Sequence, residues 1–223
     1  MINIDEILKN FPKRAPDANK KDFGHVLVIA GSNEYTGAAY LTSHAAILSG
    51  SGIVTLAVGK SIYPIMAQKL TEVMVKSFFE TRDYSLSLLA EKELLSFSEK
   101  CTCAAIGPGI SRNKETQGLV RSLLGKIGKP VILDADGINA FAGHVDSLKK
   151  TTEPLILTPH IGEMARLLGK DIALEFAHQY NIVLVLKGHE TIVAKPDGTF
   201  YVNTTGNVGM ATGGTGDVLT GMI

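Results

Sequence analysis

The chain has 223 residues, of which 45% are hydrophobic, and its 22 basic and 22 acidic side chains give a formal charge of zero. This content suits the core of one α/β domain, which we expect to cover residues 1–223, and the neutral charge argues against a nucleic-acid-binding protein. No apolar run approaches the ~20 residues of a membrane span, and Met1–Glu6 lacks the pattern of a signal peptide, so we expect a cytoplasmic protein that does not bind membranes.

Short apolar runs alternate with helical stretches along most of the chain. The runs predict strands over residues 25–30, 53–58, 73–77, 103–106, 131–134, 155–157 and 182–186. Helices are predicted over residues 37–49, 61–70, 85–96, 113–127 and 171–180. This alternation is typical of a parallel sheet with helices on both faces. Two last runs, 191–195 and 199–203, flank a Pro-Asp-Gly turn and predict an antiparallel hairpin at the edge of the sheet.

Ligands of open parallel sheets bind at the carboxyl ends of the strands, and two predicted strands end there in glycines. After Gly31, a helix opens with Gly37, Ala38 and Ala39, small residues that suit either a flat ligand or tight packing of the helix on the sheet. The Gly107-Pro108-Gly109 turn either exposes its amides to a ligand or forms an ordinary connection. Spacing alone does not separate the two interpretations.

Two other predicted strands end in charged side chains. Asp134 and Asp136, with Asn139, could hold Mg²⁺ through water or could form an ordinary turn. Lys187 precedes Gly188 and could reach a nucleotide phosphate, although a solvated loop lysine is the commoner case.

A His-Glu pair follows the strand at 155–157. His160 and Glu163 lie three residues apart at a predicted helix start. Glu163 could cap that helix, or it could carry a water molecule bound to Mg²⁺. A lone histidine such as His160 is more often structural than functional.

The segment from Gly206 to Asp217 is the most informative part of the chain. Residues 206–221 contain six glycines, and an apolar run that predicts a helix begins at Val218. Glycines let amides approach a ligand and a helix start adds a positive dipole end, so this segment predicts a phosphate site. Asp217 would repel a phosphate, and we expect it to take a proton from an attacking hydroxyl. An ordinary turn capped by Asp217 is the alternative, which the number of glycines disfavours.

Together, these segments resemble the bacterial ADP-dependent NAD(P)H-hydrate dehydratase family. The resemblance covers nearly the whole chain in the expected order, and the glycine-rich segment is its most specific part. It is carried by residues 21–25, 30–32, 37–39, 107–109, 133–139, 158–163, 186–188 and 206–219. The resemblance implies a ribokinase-like three-layer α/β/α fold, with a mostly parallel central sheet and an antiparallel hairpin at one edge.

The resemblance also implies a reaction. It would be the repair of (S)-NADHX and (S)-NADPHX, which are hydrated at C6 of the nicotinamide, to NADH and NADPH. ADP, or ATP, would phosphorylate the C6 hydroxyl with Mg²⁺ as cofactor, and phosphate would then leave, so that the enzyme is a hydro-lyase that releases AMP and phosphate.

Site residues follow from the resemblance by position. Asp217 would be the base, assisted by the amides of Gly213, Gly214, Thr215 and Gly216. The nucleotide would be held by Lys187, Gly188, His189, Glu190, Thr191 and Gly216. The hydrated dinucleotide would contact Ala38, Gly109, His160 and Asp217. Glu163 would meet Mg²⁺ through water.

Further expectations concern assembly and chain length. The resemblance implies a homo-oligomer, often a tetramer, that works with an NAD(P)H-hydrate epimerase. It also implies a further C-terminal part beyond Ile223 and a connection near Lys170 that is shorter than usual. Two alternatives stay open: a small-molecule kinase of the same fold, acting on a vitamin precursor or a sugar, and a non-catalytic nucleotide-binding partner of an epimerase.

Overall fold

A computed structural model describes Lys9, residues 13–168 and residues 173–223. The expectations about Met1–Glu6 and the connection near Lys170 lie outside these residues. Within them one sheet has nine strands: β1 His25–Ile29, β2 Ile53–Gly59, β3 Met74–Phe78, β4 Cys103–Ile106, β5 Val131–Leu133, β6 Leu155–Leu157, β7 Val183–Leu186, β8 Thr191–Ala194 and β9 Phe200–Asn203. Their order is β3-β2-β1-β4-β5-β6-β7-β8-β9. β1 to β7 are parallel and β8 is antiparallel to both neighbours, which confirms the predicted sheet and hairpin.

The described α-helices lie between and after these strands. They are α1 Thr36–Leu48, α2 Tyr63–Lys69, α3 Glu91–Ser98, α4 Lys114–Leu124, α5 Asp136–Asn139, α6 Ile161–Leu168, α7 Ala173–Tyr180 and α8 Thr215–Met222. The helix predicted over 85–96 begins later than expected. Glu80 and Leu86 form an antiparallel bridge instead, and Leu88–Ala90 is a short 3-10 helix. None of the helices in the described ranges has the length and apolar content needed to cross a bilayer.

The core lies on both faces of the sheet, as the uninterrupted apolar strands predict. Leu27 and Ile29 of β1 face one hydrophobic cluster, together with side chains of α3, α4, α6 and α7. Val28 of β1 faces the other cluster, with side chains of α1 and α2. Helix α8 packs along α1, where a Cβ on Gly221 would lie 2.2 Å from the Thr42 carbonyl oxygen. The result is the predicted three-layer α/β/α arrangement.

The strand order reverses between β1 and β4, the third and fourth strands of the sheet. From β1 the chain proceeds to β2 and β3 on one side, then returns to β4 on the other side of β1 and continues outward. The helices that follow β1 and β4 pack on opposite faces of the sheet, and ligands of such folds bind at the carboxyl edge next to this point. The predicted site residues after β1, β4, β5, β6 and β7 all lie at this edge.

Candidate active site

The glycine-rich segment enters α8 through Gly214. Gly214 has a left-handed φ of 96°, and a Cβ there would lie 2.5 Å from Leu41 Cδ1, so the position needs glycine. The Thr215 hydroxyl donates to the Met210 carbonyl at 2.9 Å and fixes the loop against the helix. In the described part of the chain, no protein group accepts a hydrogen bond from the amides of Gly213, Gly214 and Gly216. These amides are therefore available to an anion at the start of α8.

Asp217 lies in the first turn of α8. It is half-buried, and among the described residues its carboxylate has neither a hydrogen-bond donor nor an ion-pair partner. The pKa of Asp217 is raised to about 6, mainly by burial and to a smaller extent by the negative charge of Asp134. The positive charge of Lys187 acts in the opposite direction. A carboxylate with a pKa close to neutrality is suited to accept a proton.

Asp134 lies behind Asp217, at the carboxyl end of β5. It is 1% exposed, and its carboxylate accepts hydrogen bonds from Lys187 Nζ at 2.6 Å and from Thr220 Oγ1 at 2.8 Å. Asp136 is instead bonded to the Asn139 side-chain amide at 3.0 Å. This arrangement fits the turn alternative rather than a pair of Mg²⁺ ligands. No pattern in the sequence indicates the Asp134–Lys187 pair, and Thr220 stands out only as a polar residue in an apolar helix.

Lys187 follows β7 and its ammonium faces the first turn of α8. A Cβ on Gly216 would lie 3.2 Å from Lys187 Nζ. An ammonium has three donors, and Asp134 takes one of them, so two can still reach a ligand. The three residues from Gly188 to Glu190 are exposed in a turn that closes with the Thr191 hydroxyl donating to the Gly188 carbonyl at 3.0 Å.

The loops after β1 and β4 are joined by hydrogen bonds. The Gly31 amide donates to the Pro108 carbonyl at 2.8 Å, and the Ser32 hydroxyl donates to the Gly109 carbonyl at 2.9 Å. Gly109 has a φ of 61°, and a Cβ there would lie 2.9 Å from Ala38 Cβ. The two predicted dinucleotide-binding residues, Ala38 and Gly109, are therefore in contact. Tight packing of α1 is present, and contact with a ligand remains a prediction.

His160 and Glu163 form the start of α6. Glu163 is 5% exposed and its Oε2 accepts the His160 amide at 2.8 Å, while Oε1 lies 3.4 Å from His160 Nε2. Glu163 therefore caps the start of α6, which is one of the two interpretations that the sequence allowed. His160 itself is exposed, and it sits beside Lys187 because the Lys187 amide donates to the Pro159 carbonyl at 2.8 Å.

The structure therefore brings the predicted residues together along one edge. Helix α1 connects the two ends of that edge, because Ala38 touches Gly109 and Leu41, one turn later, touches Gly214. A cavity of about 420 Å³ lies elsewhere, beside the amino ends of β6 and β7, and none of the predicted site residues lines it. We therefore assign the candidate site to the carboxyl edge.

Comparison with known proteins identifies the family of the chain. The sequence profile of the family described as NAD(P)H-hydrate dehydratase matches residues 26–223. A bifunctional NAD(P)H-hydrate repair enzyme of Moorella thermoacetica is 44% identical over 95% of this chain, which spans only 42% of that protein.

Two solved structures superpose on nearly the whole chain. A ribokinase-like superfamily protein of Enterococcus faecalis has a TM-score of 0.83 at 27% identity and covers 99% of this chain and 77% of its own. The ADP/ATP-dependent NAD(P)H-hydrate dehydratase of Bacillus subtilis, crystallised with ATP and Mg²⁺, has a TM-score of 0.80 at 33% identity and covers 99% and 78%. The chain has the ribokinase-like fold and belongs to the NAD(P)H-hydrate dehydratase family.

Proposed function

We propose that this chain forms one domain of an ADP-dependent NAD(P)H-hydrate dehydratase, a hydro-lyase that returns (S)-NADHX and (S)-NADPHX to NADH and NADPH. The observation that carries the proposal is the half-buried Asp217 carboxylate, unpaired among the described residues, next to the available amides of Gly213, Gly214 and Gly216. Phosphorylation of a hydroxyl needs a proton acceptor and donors for the transferring phosphoryl group, and this helix end offers both. Among hydroxyl-bearing substrates, membership of the NAD(P)H-hydrate dehydratase family favours hydrated NAD(P)H.

In the first step, Asp217 accepts the proton of the C6 hydroxyl as its oxygen attacks the terminal phosphorus of ADP. The bond from that phosphorus to the AMP oxygen breaks, and AMP leaves with its electrons. The amides of Gly213, Gly214 and Gly216 stabilise the charge on the transferring oxygens, and the Thr215 amide would join them by leaving its long bond, 3.5 Å, to the Thr212 carbonyl. In the second step the C6–O bond breaks, phosphate leaves with the electron pair, and the ring nitrogen lone pair assists. Loss of a proton from the neighbouring ring carbon restores the reduced nicotinamide.

The remaining predicted residues have consistent positions in this scheme. The two donors of Lys187 that Asp134 does not take would bind the nucleotide phosphates, with residues 188–191 alongside the nucleotide. Ala38, Gly109 and His160 would contact the hydrated dinucleotide. Mg²⁺ bound to the phosphates would neutralise their charge. The described residues contain no cluster of three His, Cys, Asp or Glu, and both Glu163 oxygens face His160, so Glu163 fits Mg²⁺ only through water.

Assembly and location belong to the same proposal. We expect a homo-oligomer, a tetramer in particular, and large exposed apolar side chains such as Tyr35, Tyr84 and Leu89 support self-association. The bifunctional name of the M. thermoacetica relative supports work alongside a second repair activity, which we propose is the epimerase. We propose the cytoplasm as the site of action.

The test is to incubate the protein with hydrated NADH, ADP and Mg²⁺ and to follow the absorbance of reduced nicotinamide. We expect the absorbance to return, with one AMP and one phosphate released for each NADH formed. Repeats with ATP and with hydrated NADPH define the preferred substrates.

The control separates this proposal from its alternatives. If no absorbance returns with either nucleotide, the dehydratase proposal fails. ATP consumption with a vitamin precursor or a sugar would then indicate a kinase, and ADP binding without any turnover would indicate a non-catalytic partner of an epimerase.

A further inference from the structure

Asp134 is a buried charge that joins three separate segments. It is 1% exposed at the end of β5, and its two oxygens are occupied by Lys187, which follows β7, and by Thr220 of α8. A buried carboxylate is costly unless it is paired and hydrogen-bonded, so its partners are held firmly in place. The Lys187 and Asp134 side chains together bridge two strand spacings, about 10 Å.

The backbone around Asp134 is also closely constrained. Ala135 has φ 50° and ψ −119°, a conformation that costs free energy and persists only where the surroundings impose it. A Cβ on Gly107 would lie 2.0 Å from the Asp134 carbonyl oxygen, so the loop after β4 packs directly against this turn. The Asp134 carboxylate is therefore fixed from the backbone as well as through its side-chain partners.

Each partner of Asp134 contributes to the predicted phosphoryl-transfer site. Lys187 Nζ would lie 3.2 Å from a Cβ on Gly216, and Thr220 is one turn after Asp217 in the same helix, with its hydroxyl 3.1 Å from the Gly216 carbonyl. The single proton of that hydroxyl belongs to the nearer, charged acceptor, Asp134. The Asp134 carboxylate thus positions both the Lys187 ammonium and helix α8, which carries Asp217.

We propose that Asp134 is a positioning residue of this site: it holds the Lys187 ammonium and, through Thr220, the helix that carries Asp217 in the geometry that phosphoryl transfer requires. The inference rests on the proposed function, because it concerns the same reaction. Asp134 does not touch the substrate in this scheme. Its negative charge also lies beside Asp217, where it favours the protonated base.

The charged groups that act on Asp217 are few. They are Asp134, which follows β5, and Lys187, which follows β7. Helix α1, which packs along α8, carries only Tyr40 and His44 as titratable side chains, and neither acts on Asp217. Removing the Asp134 charge takes away a neighbour that raises the pKa of Asp217, so the base titrates at a lower pH.

The experiment compares Asp134→Asn with Thr220→Val. In Asp134→Asn we expect kcat to fall on the order of 10²-fold with an unchanged KM for hydrated NADH, and the acid limb of the rate profile to move to lower pH. Thr220→Val loses the hydrogen bond from α8 to Asp134 but keeps the Asp134 charge. We therefore expect kcat to fall in this variant while the acid limb of its rate profile stays at the wild-type pH. Thr220→Ser, which keeps the hydroxyl, restores most of the activity lost in Thr220→Val.

The titration of Asp217 is also measured without turnover, by the carbon NMR shift of its carboxyl group, assigned by its loss in Asp217→Asn. An acid limb and an NMR titration that do not move in Asp134→Asn would overturn the inference. If wild-type protein shows no dehydration, the proposed function fails and the NMR titration alone decides the inference. If Asp134→Asn does not fold, Thr220→Val decides, and an unchanged kcat in that variant overturns the proposal.

Discussion

The two ends of the candidate site are held by different forces. At one end, Asp134 after β5, Lys187 after β7 and Thr220 of α8 are fixed by hydrogen bonds between their side chains, and together with Asp217 they form the charged cluster. At the other end the glycine loops, residues 30–33 and 107–110, are fixed by backbone hydrogen bonds and by close contacts that leave no room for a Cβ. We infer that the charged cluster carries the chemistry and that the glycine loops carry the shape of the substrate pocket.

The largest effect is expected from Asp217→Asn in the charged cluster. Turnover of hydrated NADH should fall by about 10³-fold, because a general base is lost, while ADP binding measured by calorimetry is retained. Wild-type activity should also fall below about pH 6, where Asp217 becomes protonated. Undiminished turnover in Asp217→Asn would remove the assignment of the base.

Lys187→Met should have the next largest effect, on stability. It leaves the buried Asp134 carboxylate with Thr220 alone, so we expect the free energy of unfolding in urea to fall by about 3 kcal/mol. The double variant Asp134→Asn/Lys187→Met should lose less than Lys187→Met, because no unpaired charge stays buried.

Lys76→Met is the matched control for Lys187→Met, because it removes the lysine of an exposed ion pair. Lys76 pairs with Glu93 at a similar distance, 2.8 Å, but its side chain is 36% exposed. Exposed pairs contribute about 0–1 kcal/mol, so the loss should be small. Equal losses in Lys76→Met and Lys187→Met would mean that burial of Asp134 does not matter.

A third prediction concerns the glycine loops. Gly109 and Gly143 both have a left-handed φ, 61° and 74°, but a Cβ on Gly109 would lie 2.5 Å from Tyr35 Cβ, whereas a Cβ on Gly143 meets nothing within 4 Å. We expect Gly143→Ala to cost about 1 kcal/mol of unfolding free energy from backbone strain. Gly109→Ala should cost about 2 kcal/mol more, from the steric conflict, and should raise KM for the dinucleotide more than it lowers kcat. Similar costs for the two variants would show that packing does not shape this end of the site.

The difference between the two ends also explains what the sequence could predict about the fold. Buried parallel strands are continuous apolar runs, so β1 and β2 were predicted to within one residue. The helix predicted over 85–96 begins at Glu91 because the chain before it folds back, with the Ser85 hydroxyl bonded to Thr116 Oγ1 at 2.8 Å. Thr116 is 31 residues away, and no local pattern contains that contact.

The site follows the same rule. The glycine segment and Asp217 could be recognised because their chemistry lies within a few consecutive residues. The hydrogen bonds to Asp134 could not, because Lys187 and Thr220 lie 53 and 86 residues further along the chain. The sequence alone was therefore equally consistent with Asp134 in a turn and with Asp134 as a Mg²⁺ ligand. The fold separates the two because it places Asp134 beside Lys187 and α8.

The smallest predicted effect tests whether the charged cluster holds Asp217 at a cost to stability. The pKa of Asp217 is about 6 in the folded protein against an ordinary 3.8, so between these pH values the folded state keeps a proton that the unfolded chain has released. The ionisation of Asp217 should therefore destabilise the folded protein increasingly as pH rises through this window, and its full cost is reached above it. Asp217→Asn avoids this cost, so its Tm should exceed that of wild type at about pH 8, with the difference shrinking towards pH 4.

Asp197→Asn is the control of opposite sign. Hydrogen bonds from Thr199 hold the pKa of the exposed Asp197 carboxyl below its ordinary value, so its contribution to stability is present above that value and is lost as pH falls. Asp197→Asn should accordingly melt below wild type at about pH 8, with the deficit vanishing in acid. If both variants shift Tm in the same direction at every pH, then the Tm change in Asp217→Asn reflects the amide substitution itself. Only a pH-dependent gain, confined to Asp217→Asn, would show that the charge of Asp134 and partial burial destabilise the folded protein at the position where the reaction needs a base.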